Sequence, residues 1–244
     1  MSDLEGMVAV VTGGSSGIGA AVVRQMRTRG ALVAIIDREV GAPDDLLLEA
    51  DVTDGDSVKA AIDFVGERYG RIDVVVNNAG IGASGDVEAN TIEEWNHVFD
   101  VNVVGIVRVT RAALPWLRNS ASGSVVNTAS VAGLTGLRDR VLYSATKGAV
   151  VAMTYAMAAD LVAEGIRVNA VAPGTTDTPW VERLLSAAPT PEAAAKALRT
   201  RQPIGRLVTP DEVAFAITNL SSPRAASTTG TVQLVDGGLL NLLA

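Results

Sequence analysis

Three observations in the 244-residue sequence predict an α/β fold, a doubly wound parallel sheet of about seven strands with helices on both faces. Short runs rich in β-branched residues alternate with longer helical patterns, the order expected of repeated strand–helix–strand units. These runs are apolar without a polar alternation, as strands covered on both faces are. The first of them leads into a glycine-rich turn that opens a helix, which makes the fold Rossmann-like.

The elements follow in order. Residues 7–11, MVAVV, read as a buried parallel strand. Thr12-Gly13-Gly14-Ser15-Ser16-Gly17-Ile18-Gly19 then forms the turn, and a helical pattern starts at Ala20. Glycines let the backbone approach a pyrophosphate, and the helix N-terminus offers free N–H groups and a favourable dipole. The spacing is TGxxxGxG and not the commoner GxGxxG. Residues 31–36 form a second strand ending on Asp37, where a carboxylate would bind the adenosine ribose hydroxyls and repel a 2′-phosphate. NAD is therefore expected over NADP, with the neighbouring Arg38 partly offsetting that repulsion.

Further strands are expected at 74–76, 124–127, 167–171 and 232–235, and helices at 55–69, 91–118, 141–164 and 210–221. The stretch between Asp37 and Asp51 is too short and too broken by Gly and Pro for a full helix plus a strand. Its crossover is expected to be a loop. No tandem repeat, linker or low-complexity segment interrupts the chain, so residues 1–244 are expected to form a single domain. Residues 175–209 contain two helical pieces broken by Pro189-Thr190-Pro191, a pattern that suits a mobile lid.

Tyr143 and Lys147 lie four residues apart in a helical segment, which puts both side chains on one face about one turn apart. A free phenol ionises near pH 10, and a neighbouring ammonium favours the phenolate, making a general acid/base of the tyrosine. Ser130, after a strand end, can bring a hydroxyl to a substrate oxygen.

These features stand beside Asp51-Val52, Asn77-Asn78-Ala79-Gly80, Asn102, Pro173-Gly174 with Thr178, and VDGG at 235–238. In order and spacing the chain, from about residue 7 to residue 238, resembles a short-chain dehydrogenase/reductase of the compact type. The resemblance implies that Gly13, Ser15, Ser16, Gly17, Ile18 and Gly19 hold the pyrophosphate, Asp37 the ribose, and Asp51 and Val52 the adenine. It implies that Asn78, Ala79, Gly80, Pro173 and Gly174 line the cofactor, that Thr178 holds its carboxamide, and that Tyr143 and Lys147 also contact it. Asn102, Ser130, Tyr143 and Lys147 would be the catalytic tetrad, with Asn102 positioning a water in a proton relay. A homotetramer is implied as well, through the long helices and the apolar C-terminal tail.

The substrate end reads less directly. Arg140, Arg183 and Arg201, with PGTTDTP at 173–179 and RQPIGR at 201–206, resemble a subgroup containing type 2 3-hydroxybutyrate and keto-deoxy sugar-acid dehydrogenases. That resemblance implies a substrate carboxylate held by arginines, for which the guanidinium fork is well shaped. Arg183 is displaced from the subgroup's pattern, and Arg183 and Arg201 could equally be solvated helix charges. Trp180 is expected either to face the pocket or to pack the lid onto the body. The expected reaction is NAD(H)-dependent interconversion of a secondary alcohol and a ketone on a small hydroxy acid or sugar acid. A 3-oxoacyl-(acyl-carrier-protein) reductase, a neutral sugar or alcohol dehydrogenase, and a non-enzymatic dinucleotide-sensing module are the alternatives.

Composition sets bounds. Hydrophobic residues make up 48% of the chain and aromatics only 4%, so small aliphatic side chains must build the core. The absence of cysteine excludes a disulfide framework and a thiolate metal site. With one histidine, His97, in a helical segment, no metal site is expected, and packing or exposure is its expected role. A formal charge of −7 without a basic run argues against nucleic acid. No apolar stretch reaches the roughly 18 residues of a membrane span, and the start is unlike a signal peptide, so the expected location is the cytoplasm.

Overall fold

The computed structural model describes residues 2–39, 46–186 and 188–242. Seven parallel strands form one sheet: β1 (Val8–Thr12), β2 (Leu32–Asp37), β3 (Leu47–Glu49), β4 (Val74–Asn77), β5 (Ser124–Thr128), β6 (Arg167–Pro173) and β7 (Val232–Val235). Their order across the sheet is β3-β2-β1-β4-β5-β6-β7, so the winding reverses between β1 and β4. That switch point is where an open α/β sheet leaves a crevice at the carboxyl ends of its strands.

The apolar run in β1 has a direct cause. In β1, Val8 and Val10 enter one core while Ala9 and Val11 enter the other. The first core packs against α2 (Gly55–Tyr69), α4 (Gly105–Leu117) and the end of α5 (Val141–Leu161). The second packs against α1 (Gly17–Thr28) and α8 (Pro210–Ser221). Successive side chains on a strand point to opposite faces, so a sheet covered on both sides needs an apolar residue at every position.

Local signals set the helix ends. Asp54 caps α2 by accepting from Asp56 and Ser57 N–H, and Gly70, at φ 73°, ends it. Thr209 and Glu212 form a capping box at the start of α8, with Pro210 at its first position. The helix expected over 91–118 is divided into α3 (Ile92–Phe99), a π-helical turn at Asp100–Val104, and α4. Periodicity could not show this, because one wide turn inserts a residue without breaking the chain of hydrogen bonds. The helix expected over 141–164 ends at Leu161 in a 3-10 turn, Val162–Glu164, closed by Gly165 at φ 75°. Of the crossover between Asp37 and Asp51, residues 40–45 lie outside the described residues, and β3 is the short strand that follows. None of the described helices is long and apolar enough to cross a membrane.

Arg167, in β6, is buried and has no carboxylate partner among the described residues. Its guanidinium instead donates to the carbonyls of Leu220 (2.7 Å), Ser222 (3.1 Å), Ser221 and Thr228 (both 3.4 Å), closing the C-terminus of α8 against the sheet. Helix-end carbonyls have no partner within the helix and must find one outside it. Arg167→Leu should therefore cost roughly 3 kcal/mol, measured as the change in urea unfolding midpoint at an unchanged slope.

Candidate functional site

The site is built where β1, β4, β5 and β6 end. Gly13 (φ 63°) and Gly17 (φ 53°) adopt left-handed backbone that side chains resist. A Cβ on Gly19 would lie 2.0 Å from the Gly13 carbonyl, so α1 can start this close to the turn only with glycine there. Ser16 precedes α1 without capping it through its side chain. The helix start therefore keeps its N–H groups and positive dipole for an anion.

Asn78 ties this turn to β4. Its Nδ2 donates to the Thr12 and Gly13 carbonyls, both at 3.1 Å, while Thr12 Oγ1 accepts from the N–H groups of Asn78 and Ala79 at 3.0 Å. Thr12 was visible only as the first letter of the glycine motif, and its clasp on residues 78–79 gave no signal in the sequence. Asp37 accepts from the Ser15 N–H (3.0 Å), which holds its carboxylate over the glycine turn. Arg38 turns toward Asp51 at 3.9 Å, while Asp51 is held by the N–H and hydroxyl of Thr53, each at 2.8 Å. Val52 is buried against Gly105, where a Cβ would meet it at 3.0 Å. Gly174 follows Pro173 at the end of β6, and Thr178 lies against Gly17, a Cβ there reaching its Cγ2 at 3.6 Å.

The four expected catalytic residues converge. Asn102 sits in the π-helical turn, its Oδ1 accepting from Ile81 N–H (2.8 Å) and its Nδ2 donating to the Ile81 carbonyl (2.9 Å) and Thr146 Oγ1 (3.2 Å). Thr146 in turn donates to the Tyr143 carbonyl at 2.8 Å, linking Asn102 to α5. Gly80 separates Asn102 from Lys147, since a Cβ on it would be 3.1 Å from Asn102 Oδ1 and 3.6 Å from Lys147 Nζ. Ser130 caps a 3-10 turn, accepting from Ala132 N–H at 3.1 Å, and its hydroxyl also favours the phenolate of Tyr143.

Lys147 is buried, donates to the Thr128 carbonyl at 2.8 Å, and lies 5.7 Å from the centre of the Tyr143 ring. Burial pulls its pKa down to about 8. The expected lowering of Tyr143 by Lys147 is not what this arrangement produces. Desolvation dominates and raises the phenol, with the Ser130 hydrogen bond and the Arg140 charge opposing it. Tyr143 is half-buried by its exposure, so solvent tempers that rise.

Arg140 opens α5, just after Asp139, which is the non-glycine residue at positive φ (56°) among those described. Its Nη1 donates to the Ala83 carbonyl (3.2 Å) and to Ser84 Oγ. Arg201 donates to Thr175 Oγ1 at 2.5 Å, and both desolvation and the positive charge of Arg140 disfavour its own charge. Neither arginine has a carboxylate partner among the described residues. Trp180 lies beside Arg140, with the guanidinium carbon 6.0 Å from its ring centre. Arg183 is exposed on α6 (Pro179–Ser186), with no hydrogen bond or ion pair given to it by the described structure, and is not joined to this pair.

The segment expected to form a lid contains α6 and α7 (Pro191–Thr200), and its two ends are clasped together. Asp177 N–H donates to the Val208 carbonyl (2.8 Å), and Val208 N–H to the Thr175 carbonyl (3.0 Å). The buried Gln202 bridges the Thr175 and Arg206 carbonyls. A cavity of about 710 Å³ lies between the lid helices, lined by Thr178, Glu182, Leu185, Glu192 and Arg199 among others. Tyr143 is not among its lining residues, so the candidate catalytic cluster is not part of that cavity.

Comparison with known proteins agrees with this geometry. A family model described as enoyl-(acyl carrier protein) reductase matches residues 13–240. The chain is 39% identical to a 3-oxoacyl-(acyl-carrier-protein) reductase of Thermotoga maritima, over 97% of this chain and 99% of the relative. It is 40% identical to a cis-4-hydroxycyclohexanecarboxylate dehydrogenase of Sinomonas cyclohexanicum, over 95% of each. The ligand-free aldohexose dehydrogenase of Thermoplasma acidophilum superimposes with a TM-score of 0.93 at 34% identity, covering 100% of this chain and 98% of that one.

The buried lysine has a consequence for stability. Its folded pKa of about 8 lies below the ordinary 10.5, so the unfolded chain binds more protons between these values and folding stability rises with pH there. The contribution is complete above about pH 10.5 and lost as pH falls through about 8. Relative to Lys147→Met, the wild-type protein should gain up to about 3 kcal/mol across this window, read by chemical denaturation at a series of pH values.

Proposed function

The chain belongs to the short-chain dehydrogenase/reductase family and acts as an oxidoreductase on alcohol and ketone groups, and from that premise we propose that its substrate is a small hydroxy acid, oxidised with NAD. The observation carrying this reading is the pair Arg140 and Arg201, two cations near enough for one to disfavour the charge of the other, beside the candidate acid/base and with no carboxylate partner among the described residues. Like charges are held together at a cost, which a bound anion removes. The hydroxycyclohexanecarboxylate dehydrogenase, a relative whose substrate carries a carboxylate, supports the same reading.

The residues present fit a dinucleotide. Gly13 to Gly19 and the uncapped start of α1 would hold its pyrophosphate, Asp37 its adenosine ribose, and Thr178 its carboxamide. When bound, the nicotinamide supplies the hydride acceptor or donor. Asp37, already turned over the glycine loop, would repel a 2′-phosphate by its charge, which supports NAD. Tyr143 moves the substrate hydroxyl proton, Ser130 steadies the reacting oxygen, and Lys147 would hold the nicotinamide ribose beside the phenol. Asn102 keeps the Ile81 backbone and α5 in register and connects the relay to solvent. Assembly as a homotetramer is supported by apolar side chains exposed on the long helices, Val107 on α4 and Tyr155 on α5 among them. The cytoplasm is the location proposed for it.

A second reading, reduction of a 3-oxoacyl chain on its carrier protein, is favoured by the Thermotoga relative. A panel of hydroxy acids, neutral sugars, secondary alcohols and 3-oxoacyl thioesters, each with NAD(H) and NADP(H), separates the two. Turnover of acids is expected, with Arg140→Ala raising their KM about 10- to 100-fold and leaving neutral substrates unchanged. Neutral substrates or thioesters turned over equally by both proteins would sink the carboxylate reading. Tyr143→Phe should lower kcat about a thousandfold with any substrate. Asp37→Ala should narrow the preference for NAD over NADP, measured as the ratio of the two kcat/KM values.

A further inference from the structure

The lid meets the body of the protein at a glycine. A Cβ on Gly82 would lie 2.3 Å from Cζ2 of the Trp180 indole and 2.7 Å from its Cε2, well inside any real contact. Gly82 is not among the glycines at positive φ, whereas Gly85, three residues on, is held at φ 137° and needs glycine for its backbone. Space for the indole is therefore the reason Gly82 lacks a side chain. The same indole carries Arg140 beside it, at the 6.0 Å limit of a cation–π contact. Arg140 is anchored through Nη1 to Ala83 and Ser84, the two residues following the seat. Its Nε and Nη2 donate to nothing among the described residues, so the edge of the fork away from this anchor is free.

We infer that Gly82 is a specificity-determining residue: it seats Trp180, and the seated indole both closes the lid beside the reacting groups and fixes the Arg140 guanidinium for a substrate carboxylate. The specificity half rests on the hydroxy-acid reading above, while the position of the indole can be measured without any substrate. Trp180 lies on the first turn of α6, two residues after Thr178, so seating it draws the start of the lid down onto the 82–84 loop. A planar guanidinium held on one face by an indole and at one nitrogen by backbone has lost the rotational freedom that binding would otherwise cost.

The test uses full-length protein labelled with fluorotryptophan and observed by fluorine NMR. The chain holds three tryptophans, and the signal lost in Trp180→Phe belongs to Trp180. In Gly82→Ala this signal should move toward the position of a solvated indole while those of Trp95 and Trp116 stay. KM for the acid substrate should rise about tenfold, with kcat and the KM of a neutral analogue changing less than about twofold. A Trp180 signal unmoved in Gly82→Ala, or moved with KM for the acid unchanged, overturns the inference. Should Gly82→Ala fold poorly, Arg140→Lys keeps the charge and removes the plane, and must also shift the Trp180 signal. If the hydroxy-acid reading itself is wrong, the wild-type protein will turn over neutral substrates indifferently, and the indole shift in Gly82→Ala will still report the seat.

Discussion

The site depends on how closely two pieces of backbone approach each other at the reversal of the sheet. Gly19 packs onto the Gly13 carbonyl, and Asn78 reaches across from β4 to hold the Thr12 and Gly13 carbonyls. A single methyl group at Gly19 would force α1 away from the turn and open this junction. With it closed, the start of α1 points its dipole at the place where a pyrophosphate would lie, and Asp37 is brought over the Ser15 N–H. The same junction sets the end of β4, from which Gly80 and Ile81 lead to Asn102 and Lys147.

A second constraint is electrostatic. Lys147 is enclosed at the cost of part of its charge, and Tyr143 is raised by its crowded surroundings. Arg140 opposes that rise while sitting close enough to Arg201 to disfavour the latter's charge. Positive charge therefore accumulates around one phenol, and among the described residues no carboxylate pairs with Arg140 or Arg201. Surface arginines of this protein are treated differently: Arg118 pairs with Glu164 and Arg206 with Glu212. The contrast separates arginines that satisfy the fold from arginines left for something else.

Much of this was legible in the residues. Helices 55–69 and 210–221 were read with the bounds that α2 and α8 show, because an N-cap and a terminal breaker mark them. Six of the seven strands were legible because burial on both faces favours runs of apolar residues, whereas the short, partly buried β3 (Leu47–Glu49) was not read. The glycine turn, Asp37 and the Tyr143–Lys147 spacing were legible because short-range geometry dictates residue type. The π-helical turn at Asn102 was not, since hydrophobic periodicity barely registers one wide turn. Nor was the expected effect of Lys147 on Tyr143, because spacing on a helix says nothing about how far both groups are removed from water.

By itself the sequence determined the fold class, the glycine turn and which residues form the candidate catalytic cluster, all of which rest on local geometry and on repeating burial. Tertiary structure alone decided which arginines act on one another. The charge of Arg140 disfavours that of Arg201 across about sixty residues of chain, with Ser84 and Thr175 each holding one of the two guanidinium groups, while Arg183, nearer in sequence to both, is exposed. It also decided that Gly82, in a loop whose backbone any residue could adopt, must be empty of a side chain. That requirement comes from an indole almost one hundred residues away, and a requirement imposed across such a distance leaves no pattern in the chain around it.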